Sequence, residues 1–381
     1  MDKKVNVAIS LLLITSIYFP SSLNGIISEK LSFYFSIVIL LISLYIVNVQ
    51  SGDYGKKPLI FFLLINFSLF FFTVLSPFND FTFGAYIPYF IFSITLFIRL
   101  QNVKEMKFSR NAFVLLNIIN VLLGTLILFN NEITTGFIVN NYSAGYPKLV
   151  ERMMLMVKPV LTFGSHSIAA FFMYLFFYLN LEMYKAKKSL LYILVCFFYI
   201  ILIFNLKSVT SLFFFIVSLF QLLFFSIKKF RTNKLVIVFI ITALIIFIPK
   251  LKLLLPDFYF GILSEDNNGF LGRYGDDGAL SSNIDYILNN PIRAIGLGYS
   301  SNLYFTDSGL ILHWLRGSFF LVISIYIGLY YFMTNNLKEH KYVVLMIFIV
   351  LSFEIGYSIL TYLRAIAFLP VFLFFLNNAK N

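Results

Sequence analysis

Asp307, His313 and Arg316 stand close together in "TDSGLILHWLRG", a stretch that is otherwise turning apolar. A carboxylate and an imidazole exchange protons, and a guanidinium supplies a fixed positive charge. His313 and Arg316 are three residues apart, so on a helix they share one face. A helix that met only lipid would not carry both, and the spacing predicts a face turned to a cavity. Asp307 also suits the N-cap of a helix starting at Ser308 or Gly309, where a carboxylate satisfies free backbone amides. Upstream, His166 follows "KPVLTFGS" and lies near Lys158 and Arg152. It is a candidate proton carrier or hydrogen-bond donor to an anionic substrate, with an interfacial polar anchor as the alternative. Glu354 and Arg364 fall in or near apolar runs, and a mutual structural pair is expected of them.

Other chemistries lack their residues. His166, His313 and His340 are the three histidines, and none forms an HExxH-type pair, so no metal site is expected. Cys196 stands alone in an apolar run, which rules out a disulfide framework. "EDNNG" at 265–269 could open a calcium loop. With Gly269 at the sixth position, however, the twelfth is Gly275, and no carboxylate closes the site. Gly296-Leu297-Gly298 lacks the third glycine and the strand–helix setting of a nucleotide loop, and is read as a turn. Its backbone amides could still approach a different phosphate. No cofactor is expected.

The elements that position these residues are membrane helices. Of 381 residues, 60% are hydrophobic and 12% charged, and the mean hydropathy is +0.89. A soluble fold does not need that much apolar surface. The fold class is therefore an all-α polytopic membrane protein, one multi-pass domain over 1–381. Apolar runs fall near 5–23, 31–49, 58–76, 84–100, 112–129, 166–184, 190–206, 209–227, 235–249, 309–333, 342–360 and 362–377, about twelve helices. The basic start lacks a small-residue cleavage site, and the first run is read as a retained helix. With both termini in the cytoplasm, about 18 of the 29 Lys and Arg fall on that side. The net charge of +12 is thus a topology signal, and no nucleic-acid partner is expected.

Two segments break the rhythm of short connections, at about 130–165 and 250–308, both outside the cytoplasm in this topology. Loops of that length usually carry function or disorder. The second holds Arg273, Tyr274, Asp276, Asp277 and Arg293. Its "SSNIDYILNN" predicts a short amphipathic helix on the membrane surface, capped by Ser281 or Ser282.

These pieces together resemble the O-antigen and capsule polymerase family (Wzy type), related to the O-antigen ligases. The resemblance rests on Asn290-Pro291-Ile292-Arg293-Ala294-Ile295-Gly296-Leu297-Gly298, then Asp307-Ser308-Gly309-Leu310, then Arg316-Gly317. Gly272-Arg273 is similar to a "G-R" that precedes the loop helix in that family. Phe163-Gly164-Ser165-His166-Ser167 and Ser208-Val209-Thr210-Ser211 are similar to weaker family patches. The ligase branch often opens the first-loop patch with arginine and closes it with "P-N". Lys158 and Ser165-His166 stand there in this chain, which points to polymerase over ligase.

The resemblance implies a metal-independent glycosyltransferase in a bacterial cytoplasmic (inner) membrane. Its donor and acceptor would be polyprenyl-pyrophosphate-linked glycans, polymerised into O-antigen, capsule or exopolysaccharide. Membrane lipids and a chain-length regulator protein are the other implied partners. Arg273, Arg293, Arg316 and Lys158 would hold the leaving pyrophosphate, since arginine forks onto phosphate oxygens. Asp307 or His166 would serve as base, with His313 a third candidate. Asp276 and Asp277 would bind sugar hydroxyls, and Tyr274, Tyr299 and Tyr304 would stack on sugar rings or anchor at the interface. A lipid-linked oligosaccharide flippase and an O-antigen ligase are the competing readings. Concentration of polarity in one long outer segment favours the enzyme over the flippase.

Overall fold

The computed structural model of the chain describes residues 2–18, 37–39, 41–47, 55–78, 80–100, 107–143, 147–155, 158–206, 270–303 and 308–379. The spans expected at 209–227 and 235–249, the acidic stretch 265–269, the patch 208–211, Tyr304 and Asp307 lie outside the described residues.

Among the described residues the chain is helical, with one isolated bridge between Phe81 and Gly298. In chain order come α1 (Asp2–Tyr18), α2 (Lys56–Val74), α3 (Tyr86–Thr95) and α4 (Lys107–Leu128). Then follow α5 (Glu132–Tyr142), α6 (Pro147–Leu155), α7 (His166–Lys187) and α8 (Leu190–Leu206). After these are α9 (Phe270–Tyr274), α10 (Ser281–Asn289), α11 (Gly309–Asn336), α12 (His340–Gly356) and α13 (Leu363–Asn378). Helices α2, α4, α7 and α11 are long and apolar enough to cross a membrane. Shorter apolar helices include α1, α8, α12 and α13.

Burial is arranged for an apolar solvent. Outward faces carry Phe67 at 66% exposure and Leu190 at 69%, where a water-soluble helix would carry charge. Helix α7 is the opposite case: 89% of its apolar window is buried, so it forms the centre of the bundle. Phe171, Phe172 and Phe176 on it pack against Phe353, Phe368 and Tyr199 from α12, α13 and α8.

Contacts between helix ends sort the bundle into two ends. At one, Leu100 N donates to Asn336 Oδ1 (2.7 Å), Tyr342 OH to Glu182 Oε2 (2.9 Å) and Ser109 Oγ to Asn6 Oδ1 (2.8 Å). Lys56, Lys57, Lys107, Arg110, Lys185 and Lys187 belong to helix termini at this end. At the other end, Tyr142 OH donates to Tyr18 O (2.8 Å) and Leu297 N to Thr73 Oγ1 (2.9 Å). His166, Arg273 and Arg364 lie there.

Several expected boundaries move for local reasons. Helix α3 stops at Thr95, short of the run to 100: the Phe97 and Ile98 amides tighten onto the Ile94 and Thr95 carbonyls (both 3.1 Å), and Asn336 Nδ2 holds the Ile98 carbonyl (2.8 Å). Helix α12 ends at Gly356, and the 3-10 turn Ile359–Thr361 fills the gap before α13. The first outer segment is built from α5 and α6. Helix α10 forms where its pattern places it, but its N-cap is Leu280 and no side chain caps it. Ser281 and Ser282 are thus not its caps. Its Ile284, Tyr286 and Ile287 pack against a small core of Leu280, Ile295, Leu303, Ile311 and Leu315. Its apolar face therefore covers the start of α11, where a surface helix would have faced lipid. Burial there pushes the Tyr286 hydroxyl up from its ordinary value, and Arg293 pulls the other way.

Candidate functional site

The 158–165 turn leads into the central helix and presents His166 as its first residue. Leu161 and Gly164 adopt left-handed φ of 48° and 66°. A Cβ at Gly164 would sit 2.5 Å from the Tyr142 carbonyl oxygen, so only glycine fits. Phe163 stacks on Phe172, with centroids 4.3 Å apart. The Arg364 guanidinium lies over Phe163 at 5.0 Å. From there Arg364 Nε donates to Ser16 O (2.8 Å), and Nη1 to Thr162 O (2.6 Å) and Tyr362 OH (3.2 Å). Nη2 donates to Ile17 O and to Thr162 Oγ1 (3.1 Å). All five N–H donors of Arg364 are spent on the fold.

Half-buried at the mouth of the bundle, His166 comes within electrostatic range of Lys158 and Arg273. Lys158 lies in the long connection at about 130–165, His166 opens α7 just after it, and Arg273 lies in the connection at about 250–308. Arg273 Nη1 donates to Gly356 O (2.8 Å), and its buried Nε has no acceptor among the described residues. Tyr274 OH donates to Ile355 O (2.5 Å), so the end of α12 holds both residues of α9. With anionic oxygens offsetting the two cations in its range, an imidazole can take a proton from a hydroxyl.

The expected pairing of Glu354 with Arg364 does not form. Glu354, 1% exposed, instead meets His313 Nε2 at 3.1 Å, accepts Leu360 N at 2.6 Å and accepts Tyr326 OH at 3.4 Å. His313 Nδ1 lies 3.0 Å from Tyr89 OH. The reason is position. Arg364 sits after the turn that follows α12 and points to the carbonyls ending α1, while Glu354 points into α11. There Gly309 leaves the space: a Cβ on it would fall 1.6 Å from Glu354 Oε2.

The face of α11 that carries His313 and Arg316 is turned into protein. It does not line an open cavity: His313 is 0% and Arg316 4% exposed. Arg316 Nη1 donates to Gly296 O (2.9 Å) and Gly298 O (2.7 Å). It thereby closes the Gly-Leu-Gly turn on itself. Gly296, at φ 55°, presses on the Thr73 backbone, where a Cβ would come within 2.2 Å of its nitrogen. Opposite Arg316 the helix breaks, with Gly317 at φ −152° and Ser318 at φ 58°. The freed Leu315 carbonyl accepts Ile295 N (2.7 Å), and Ser318 Oγ and Trp314 Nε1 reach Pro291 O (3.3 and 3.2 Å). The cap expected of Asp307 belongs to Ser308, whose hydroxyl accepts Ile311 N at 3.4 Å.

Arg293, Asp276 and Asp277 are exposed on the second outer segment. Among the described residues no group of three or more His, Cys, Asp or Glu could hold a metal ion. Sequence reasoning missed Tyr89 and Tyr326 as partners of the buried pair, since nothing sets them apart among 24 tyrosines. It also missed Thr73 and Thr162, hydroxyls whose role exists only across long-range contacts. Comparison with protein-family models, with curated proteins and with solved structures gives no match for this chain.

Proposed function

We propose that the chain polymerises polyprenyl-pyrophosphate-linked oligosaccharide units on the outer face of a bacterial cytoplasmic membrane. The observation that carries this reading is that His166, at the start of the central helix, lies within electrostatic range of Lys158 and of Arg273 from a distant part of the chain. In the proposed step an acceptor sugar hydroxyl attacks the anomeric carbon of the donor. A new C–O glycosidic bond forms, and the bond from that carbon to the pyrophosphate oxygen breaks. The electron pair leaves on the phosphate oxygen, and the hydroxyl proton passes to His166. Arg273 and Lys158 stabilise the charge that develops on the leaving group. The Arg273 Nε, without an acceptor among the described residues, is suited to a phosphate oxygen. Arg293, Asp276 and Asp277 are exposed on the same connection that carries Arg273, where glycan would lie.

Deletion of the gene in its source cell tests the reading. The surface glycan should fall to single repeat units on their carrier or anchor. A flippase would instead leave units trapped on the cytoplasmic side. A ligase would leave finished polymer on its lipid. A normal ladder of lengths after deletion sinks the proposal. Arg273→Ala and His166→Ala should each reproduce the single-unit pattern with the protein still in the membrane.

A further inference from the structure

A groove with room for about 370 Å³ runs between α5 and α6. That is within the range of about 300–1,000 Å³ for small-molecule sites. Its polar lining is Asn130, Glu132, Thr135, Asn140 and Glu151, and none of the lining residues is basic. Among the described residues none of these five side chains makes a hydrogen bond or an ion pair. That sets them apart from His313, Glu354 and Arg364, whose polar atoms are consumed by the fold. Gly136 opens the floor: a Cβ there would meet nothing within 4 Å. The groove's Asn140 end lies two residues from Tyr142, whose carbonyl abuts Gly164 in the turn before His166.

We infer that this groove binds the uncharged, hydroxyl-rich part of the glycan, while the cations beside His166 take the pyrophosphate. The inference rests on the polymerase reading and adds a subsite to it. Two carboxylates accept from sugar hydroxyls, two amides and a hydroxyl both donate and accept, and the acidic lining repels the phosphate end. The lipid-linked unit is thereby oriented with its charge toward Arg273. Glu132 also stands in the first turn of α5, where the helix dipole favours it. Glu151 and Asn140 have no such explanation.

The test uses the full chain in its source cell and in purified form, with lipid-linked repeat units extracted from the deletion strain as probe. Two variants block the groove differently: Glu132→Gln with Glu151→Gln, and Gly136→Trp, which fills it. Both should leave the amount of membrane protein unchanged and shift the ladder to shorter polymers. With the extracted units, KM should rise about tenfold with kcat retained, the size of losing a hydrogen bond to a charged group. Wild-type ladders and KM in both variants overturn the inference while leaving the polymerase reading in place. An unchanged ladder on gene deletion overturns that reading itself. A divalent cation held by the wild type and lost in the double variant, with KM unchanged, would assign the groove to a metal instead and also overturn the inference.

Discussion

The arginines of this chain differ in what their donors are doing. Arg364 spends all five on backbone and side-chain oxygens, and Arg316 closes a turn. Arg273 keeps a buried Nε without an acceptor among the described residues. Substituting Arg273 by Ala should therefore leave thermal stability within about 0.5–1 kcal/mol of wild type while removing polymer. His313→Ala should do the reverse. It strips a partner from a buried carboxylate, which costs about 3–5 kcal/mol. Thermal melting of detergent-purified protein, followed by size-exclusion chromatography, separates the two outcomes. A His313→Ala variant that melts like wild type would show that the buried pair is dispensable. His313 was legible in the sequence as an unusual group on a helix face, but its partner was not. A spacing of three residues places side chains on one face without saying which way that face points.

At the level of elements, the second outer segment is held by a break in α11. Leu315 gives up its helical carbonyl to Ile295, and the turn at Gly296 and Gly298 reaches on to Thr73, Asp80 and Thr82. Gly296→Ala should therefore be severe, with its Cβ within 2.2 Å of Thr73 N and a left-handed φ. Gly164→Ala should be similar, at 2.5 Å from Tyr142 O. Gly84→Ala meets nothing within 4 Å and serves as the silent control. Immunoblots of membrane fractions check this: the first two should fall several-fold and the control should not. Equal abundance of all three would mean that the turns are not needed for assembly. The helices themselves were largely legible, because a bilayer demands long apolar runs. Leu190–Leu206 matches its expected span to the residue. The ends were less so: beyond α3 a distant side chain, Asn336, holds the Ile98 carbonyl, and beyond α12 Glu354 turns back to take the Leu360 amide.

For the molecule as a whole, lysines gather at one end of the bundle, and the positive-inside rule predicts that this end faces the cytoplasm. Cys196 is the single cysteine and is buried, so Cys196→Ser gives a clean background for labelling. Exposed Ser282→Cys should react with a membrane-impermeant maleimide on intact spheroplasts. Exposed Ala186→Cys, at the lysine-rich end of α7, should react only after permeabilisation. The opposite pattern would invert the topology and remove the outer-face reaction. Composition made the all-helical, apolar architecture readable from the chain alone. The meeting of the two outer segments was not readable, because it depends on α12 and α13 standing between them. One consequence concerns the order of synthesis. Arg364 ties the last turn of α1 to the 158–165 turn, contacts that span 347 and 202 residues. Until the ribosome has delivered α13, those carbonyls have no donor, and the early helices wait in the bilayer half assembled. A nascent chain stopped before Arg364 would thus hold every residue of the His166 cluster and still lack the clasp that sets them in place.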